Sequence, residues 1–193
     1  MSIRNVGGAC LACFLFVGVG SMSVEGAIVP FLLEGRSGAG LLGGNENPGV
    51  SGGGSGGLVG SGIFLDDQTN ELTINVGWGS NNGFTDLTGN ATLMHIHNAG
   101  SNDFTQNGGV EVNLGSQAGF DADFSSGGFS GTVTLTSAQA TEILAGQYYI
   151  NVHTAANGGG EIRGNFTAVP EPSSFLLSGL AASGMVWRRR RRA

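Results

Sequence analysis

Gln147-Tyr148-Tyr149-Ile150-Asn151-Val152-His153-Thr154, followed after a Gly-rich turn by Glu161-Ile162-Arg163-Gly164-Asn165-Phe166-Thr167, reads as a β-hairpin. Successive side chains of an extended chain point to opposite faces. Tyr148, Ile150 and Val152 therefore share an apolar face, and Tyr149, Asn151 and His153 share the other. On the second strand Glu161, Arg163 and Asn165 lie together, opposite Ile162 and Phe166. If the strands pair, Asn151, His153, Glu161 and Arg163 form one polar cluster. The simplest role for it is structural, a set of groups that satisfy one another around a strand arginine.

The same alternation recurs along the chain, at Leu58–Leu65, Glu71–Trp78, Ala91–His97, Val110–Leu114 and Gly131–Leu135. Between these runs stand turn formers: Asp66-Asp67-Gln68-Thr69-Asn70, Ser80-Asn81-Asn82-Gly83, Gln106-Asn107-Gly108-Gly109 and Asn157-Gly158-Gly159-Gly160. Seven or so short strands in one domain of this length predict an all-β sandwich or barrel. One segment departs from the pattern. Thr136-Ser137-Ala138-Gln139 has the form of a capping box, helix formers follow, and Gly146 suits a left-handed stop, which predicts a short helix over Ser137–Ala145. Ser51–Gly57, made only of Gly and Ser, reads as a flexible loop; with no Lys in the chain it is not a phosphate cradle.

Both ends read as addresses. Met1–Asn5 carries one Arg, Val6–Gly20 is apolar and uncharged, and small residues follow, the order of a secretory signal peptide over residues 1–26. At the other end Val169-Pro170-Glu171-Pro172 precedes an uncharged apolar run to Trp187 and then five arginines. Arginines after an apolar run stay on the cytoplasmic side, so this tail would insert transiently as a transmembrane helix and halt export. The only cysteines, Cys10 and Cys13, lie within the leader, so the mature chain would carry no disulfide, thiolate ligand or Cys nucleophile. Between Ala27 and Pro170 two arginines face twelve acids, a net charge of −10. Such a surface repels nucleic acid and anionic lipid.

Two resemblances rest on these residues. Met94-His95-Ile96-His97-Asn98-Ala99, Leu144–Thr154 with its preceding short helix, Gly160-Glu161-Ile162-Arg163-Gly164 and, more loosely, Leu42-Gly43-Gly44-Asn45-Glu46-Asn47-Pro48 resemble the CHRD (chordin) domain signature. Here a single Pro stands where that family has a Pro pair. The resemblance spans most of residues 27–168 and implies an immunoglobulin-like or Greek-key β-sandwich or barrel with one short helix. The family names no reaction. The quartet Val169, Pro170, Glu171 and Pro172, the apolar run and the Arg run, residues 169–193, resemble a PEP-CTERM sorting signal. It implies an exosortase-type processing partner and a mature protein at the cell surface or in an exopolysaccharide matrix, where extracellular polysaccharide or surface proteins would be its partners.

The chemistry-bearing residues are few. His95 and His97 share a strand face, and with His153 they are all the histidines of the chain. A strand His-x-His plus a third His suits Zn or Cu. It is similar in pattern to the Cu/Zn superoxide dismutases, but the other metal histidines of those enzymes have no counterpart, so dismutase activity is not expected. No G-x-S-x-G nucleophile elbow accompanied by an ordered Asp and His is read in the chain, and no EF-hand loop occurs. Asp121 and Asp123 read as a solvated loop rather than a glycosidase pair. Trp78, Phe84 and Tyr149 are candidate stacking platforms for a glycan. The sequence thus predicts an exported, non-enzymatic structural or binding module without a cofactor, with a Zn or Cu site at His95, His97 and His153 as the alternative.

Overall fold

The computed structural model describes residues 26–169. Apart from Gly26 and Val169, the leader and the sorting tail with its apolar run lie outside them. Nine strands and one helix follow in order: β1 Ile28–Glu34, β2 Leu41–Leu42, β3 Ser55–Asp66, β4 Glu71–Trp78, β5 Ala91–Asn98, β6 Gly109–Asn113, β7 Gly127–Thr134, α1 Ser137–Leu144, β8 Tyr148–Thr154 and β9 Ile162–Ala168. All pairings are antiparallel. No helix among the described residues is long and apolar enough to cross a membrane.

The strand order is β6-β5-β8-β9-β1-β3-β4-β7, and β1 is where the path turns. Its first half pairs with β3, Ile28 opposite Asp66 and Phe31 opposite Ile63. Its second half pairs with β9, Phe31 opposite Ala168 and Leu33 opposite Phe166. The short β2 likewise touches both β3 and β9. The sheet thereby folds into two layers, β6-β5-β8-β9 and β3-β4-β7, in a sandwich-like arrangement.

Alternation along each strand fills the space between the layers. Ile63 and Leu65 of β3, Leu72, Ile74 and Val76 of β4, Met94 and Ile96 of β5, Tyr148, Ile150 and Val152 of β8, and Ile162 and Phe166 of β9 belong to one buried cluster. Each such side chain contributes about 1.5–3 kcal/mol when withdrawn from water. Helix α1 begins as its sequence dictates: the Thr136 hydroxyl accepts from the Gln139 amide at 3.2 Å and the Thr136 amide donates to Gln139 Oε1 at 2.9 Å. It ends at Gly146, with φ of +75°.

The Gly/Ser run differs from its expected form. Ser55, Gly56 and Gly57 are the start of β3, paired with β2 and with the end of β4. A Cβ on Gly56 would lie 2.5 Å from the Gly77 carbonyl oxygen. Glycine is there because the strands approach too closely for a side chain, not because the segment is loose.

Candidate metal centre

On β5, β8 and β9 the residues facing away from the core form rows across three strands. His95 lies opposite Asn151, which lies opposite Arg163; His97 lies opposite Tyr149, which lies opposite Asn165. A sheet face of this polarity would ordinarily be wet. Here every residue of β8 is buried, and Arg163 and Asn165 have no exposed surface. Three loops cover the face. Asn45 reaches the Arg163 carbonyl from the first, Gln106 and Asn107 meet the Arg163 guanidinium from the second, and Gly158 and Gly159 meet His153 and Asn151 from the third. The first two are tied together by bonds between Asn47 and Thr105 and between Asn107 and Asn47.

Under these loops His95, His97 and His153 converge, each offering a ring nitrogen within 4.8 Å of the others. His95 Nδ1 and His153 Nε2 are 3.0 Å apart. His153 Nδ1 donates to the Gly158 carbonyl at 2.9 Å, and His97 Nδ1 lies 3.0 Å from the Gly108 carbonyl. All three pKa values are lowered. For His95 the value falls to about 4, by burial first and then by its two histidine neighbours. Burial also depresses His97 and His153, opposed by their carbonyl bonds. The rings are therefore neutral at pH 7, the form that ligates metal.

A neutral imidazole has one N–H and one lone pair. Donation from Nδ1 to a backbone carbonyl leaves Nε2 of His153 as the lone pair, aimed at His95. His97 has an oxygen beside each nitrogen, Gly108 O and, at 3.1 Å from Nε2, Asn151 Oδ1. Being neutral, it donates to only one. The Gly108 carbonyl can only accept, whereas the Asn151 amide turned by 180° presents its NH2 instead, giving up the long 3.4 Å bond from Asn151 Nδ2 to the Gly159 carbonyl. His97 therefore donates through Nδ1 and presents Nε2 as an acceptor. His153, held by its Nδ1–H on a carbonyl with Nε2 turned into the cluster, has the orientation in which protein histidines bind metal, and His97 reaches the same state when its Nε2 exchanges Asn151 for the ion. Tetrahedral zinc with bonds of about 2.0–2.1 Å needs nitrogens about 3.4 Å apart. From a widest separation of 4.8 Å the cluster reaches that spacing by closing about 1.4 Å.

The other sequence candidates are placed separately. Arg163 stacks over Tyr149, its Cζ 3.5 Å from the ring centre, and Tyr149 stacks on His97 at 4.7 Å with the planes 3° apart. Arg163 bonds to Asn165, Asn107 and Gln106. Glu161 joins neither Arg163 nor Asn151. Its carboxylate accepts from the Gly54 and Thr88 amides, the Thr88 and Thr154 hydroxyls, and Asn157. Glu46 lies nearer Asn151: a Cβ on Gly160 would meet Glu46 Oε1 at 2.2 Å and Asn151 Nδ2 at 2.6 Å. Burial raises the Glu46 pKa to about 7, opposed by Arg163, and its Oε1 has no partner.

Trp78 is fully buried and Tyr149 is sandwiched between His97 and Arg163, so neither is open to a sugar ring. Asp121 and Asp123 are exposed, as expected of a solvated loop.

A family model for the CHRD domain matches residues 38–166. The chain belongs to the CHRD-domain family. The match takes in all three histidines of the cluster and the loops that cover it. The model of the PEP-CTERM protein-sorting motif matches residues 168–191 and marks this CHRD-domain protein for export, exosortase processing and a place at the cell surface or outside the cell. No curated protein and no solved structure matches the chain.

Sequence reasoning brought out the three histidines of this CHRD domain but not what holds them. Gly108 and Gly158 read only as turn residues, because a backbone carbonyl that accepts from a histidine leaves no trace in residue type. One signal was present: both glycines follow an asparagine in an Asn-Gly-Gly turn, Asn107–Gly109 and Asn157–Gly159.

Proposed function

We propose that the exported domain is a non-catalytic module that holds a zinc or copper ion through His95, His97 and His153. One observation carries this reading: three neutral imidazoles converge within 4.8 Å, and two of them have Nδ1 engaged by a backbone carbonyl. Imidazole ligands suit both metals, and three protein ligands leave a fourth position to water or a partner. A cavity of about 280 Å3 lies against the third covering loop, lined by Glu46, Asn157, Gly158 and Gly159, on the far side of the carbonyl that holds His153. Surface proteins or extracellular polysaccharide are the partners that a place outside the cell offers.

The test is metal content. The exported, processed protein is stripped with a chelator, dialysed against micromolar Zn(II) or Cu(II), and assayed by atomic emission. One equivalent in the wild type and a loss of at least tenfold in affinity in His153→Ala are expected. No stoichiometric metal, or binding that His153→Ala leaves unchanged, refutes the site.

A further inference from the structure

The two buried charges at the start of β9 are two residues apart and do not touch each other, yet their bonding is parallel. Arg163, fully buried, donates from Nη1 to Asn107 Oδ1 at 3.1 Å and from Nη2 to the Gln106 carbonyl at 2.8 Å. The next residue, Gly108, presents its carbonyl to His97 Nδ1 at 3.0 Å. Glu161, also fully buried, accepts from Asn157 Nδ2 at 3.1 Å and from the Thr154 hydroxyl at 2.7 Å. The residue after Asn157, Gly158, presents its carbonyl to His153 Nδ1 at 2.9 Å. In each arm a buried charge grips the Asn of an Asn-Gly-Gly turn, and the following Gly grips a histidine.

We infer that Arg163 and Glu161 are positioning residues, Arg163 for His97 and Glu161 for His153, each acting through its own Asn-Gly-Gly turn. As a statement about metal ligands this rests on the zinc or copper reading above; as a statement about ring orientation it stands alone. Flexible Gly-Gly turns would otherwise let the carbonyls wander. A charge that is itself buried and multiply bonded cannot move to follow solvent, so the turn it holds is fixed. His95 has no such arm. Among the described residues its ring bonds only to His153, and it is the most exposed of the three. The site therefore has two clamped ligands and one that is free to swing, which makes His95 the ligand through which the ion enters and leaves.

The experiment reads the ring nitrogens of the metal-free exported protein by long-range 1H–15N correlation, and then titrates Zn(II) against a chromophoric chelator. In the wild type His97 and His153 should each show a single Nδ1–H tautomer. Asn107→Ala should mix tautomers at His97 alone, and Asn157→Ala at His153 alone, each lowering zinc affinity about tenfold or more. Arg163→Lys and Glu161→Gln should reproduce the effect of their own arm; should either fail to fold, the asparagine variants decide. Adding Asn157→Ala to His153→Gln should cost no further affinity, whereas adding it to His97→Gln should cost the full factor. A general loss of packing would not respect this pairing. Equal disturbance of both rings by either variant, or of neither, overturns the inference. If the tautomers follow the pairing but the wild type takes no zinc, the metal reading fails and the clamps stand.

Discussion

Replacing Glu161 by Gln changes one atom and a charge, and the structure fixes what that should cost. Oε1 accepts the amides of Gly54 at 3.0 Å and Thr88 at 2.7 Å. Oε2 accepts the hydroxyls of Thr88 at 2.6 Å and Thr154 at 2.7 Å, and Asn157 Nδ2 at 3.1 Å. Glutamine keeps the first pair but sets an NH2 against three donors. The hydroxyls can rotate and accept instead; the Asn157 amide cannot do so without leaving the turn. One charge-assisted bond is lost, about 1.5–3 kcal/mol, while Asn157 Nδ2, half-buried, keeps the Thr88 hydroxyl oxygen at 3.2 Å as an acceptor. That is a sizeable share of the 5–15 kcal/mol typical of a domain. With an m-value of about 2 kcal/mol/M, the urea midpoint should fall by about 1 M at unchanged slope. The loss should also depend on pH. Burial alone would raise the Glu161 pKa, but the bonds from Thr88, Gly54 and Thr154 outweigh it and hold the group below 4.5. The carboxylate's stabilisation is complete above the unfolded value and disappears as pH falls through the folded one, so wild type and variant should converge in acid. A midpoint shift below about 0.5 M at pH 7, or a difference independent of pH, would refute the account of Glu161 as a buried charged hub.

Glu46 should behave in the opposite sense. Its folded pKa of about 7 lies above the ordinary 4.5, so the native state binds its proton more tightly and loses stability as pH rises between those values. Glu46→Gln should gain on the wild type over that window, by up to about 3 kcal/mol, and hold a constant lead above pH 7; denaturation midpoints from pH 4 to 8 would show it. Gly160→Ala should cost about 3 kcal/mol or more by thermal unfolding, since φ is +124° and the new methyl would overlap Glu46 Oε1 and Asn151 Nδ2. Unchanged stability there would mean that Glu46 is not packed under the turn. The metal-free protein should lose stability as pH falls from 6.5 towards 4, because His95 stays neutral when folded and protonates when unfolded. His95→Gln should flatten that part of the profile, and an equally steep one would place the titration elsewhere.

The sequence made β4, β5, β8 and β9 legible because their two faces differ chemically, so that Met94 and Ile96 declare the core and His95 and His97 the other side. It hid β1, where Pro30 interrupts the short apolar run Ala27–Leu33 and where burial does not simply alternate, because the strand changes partner midway. It hid the first residues of β3 for the converse reason: Gly56 and Gly57 have no side chains with which to show a face. Arg163 was seen as a hub, but its contacts with Gln106 and Asn107 cross more than fifty positions of chain and no local pattern announces them. The same holds for Glu161, drawn to Thr88 and Gly54 rather than to its neighbour Arg163. Local periodicity tells which side of a strand a group occupies, whereas the loops that come to cover that side are set by the whole fold.

The ladder between β1 and β9 bears on how the molecule is delivered. Phe31 faces Ala168, and the Val169 amide donates to the Pro30 carbonyl at 2.9 Å. The first and last strands of the domain are thus zipped together at the corner from which the sorting tail leaves. During translocation the opening strand must wait for its closing partner, so the sandwich cannot shut until the residues just ahead of the sorting tail have emerged. Exosortase processing would then act on a finished particle, beside the corner where its first and last strands are joined.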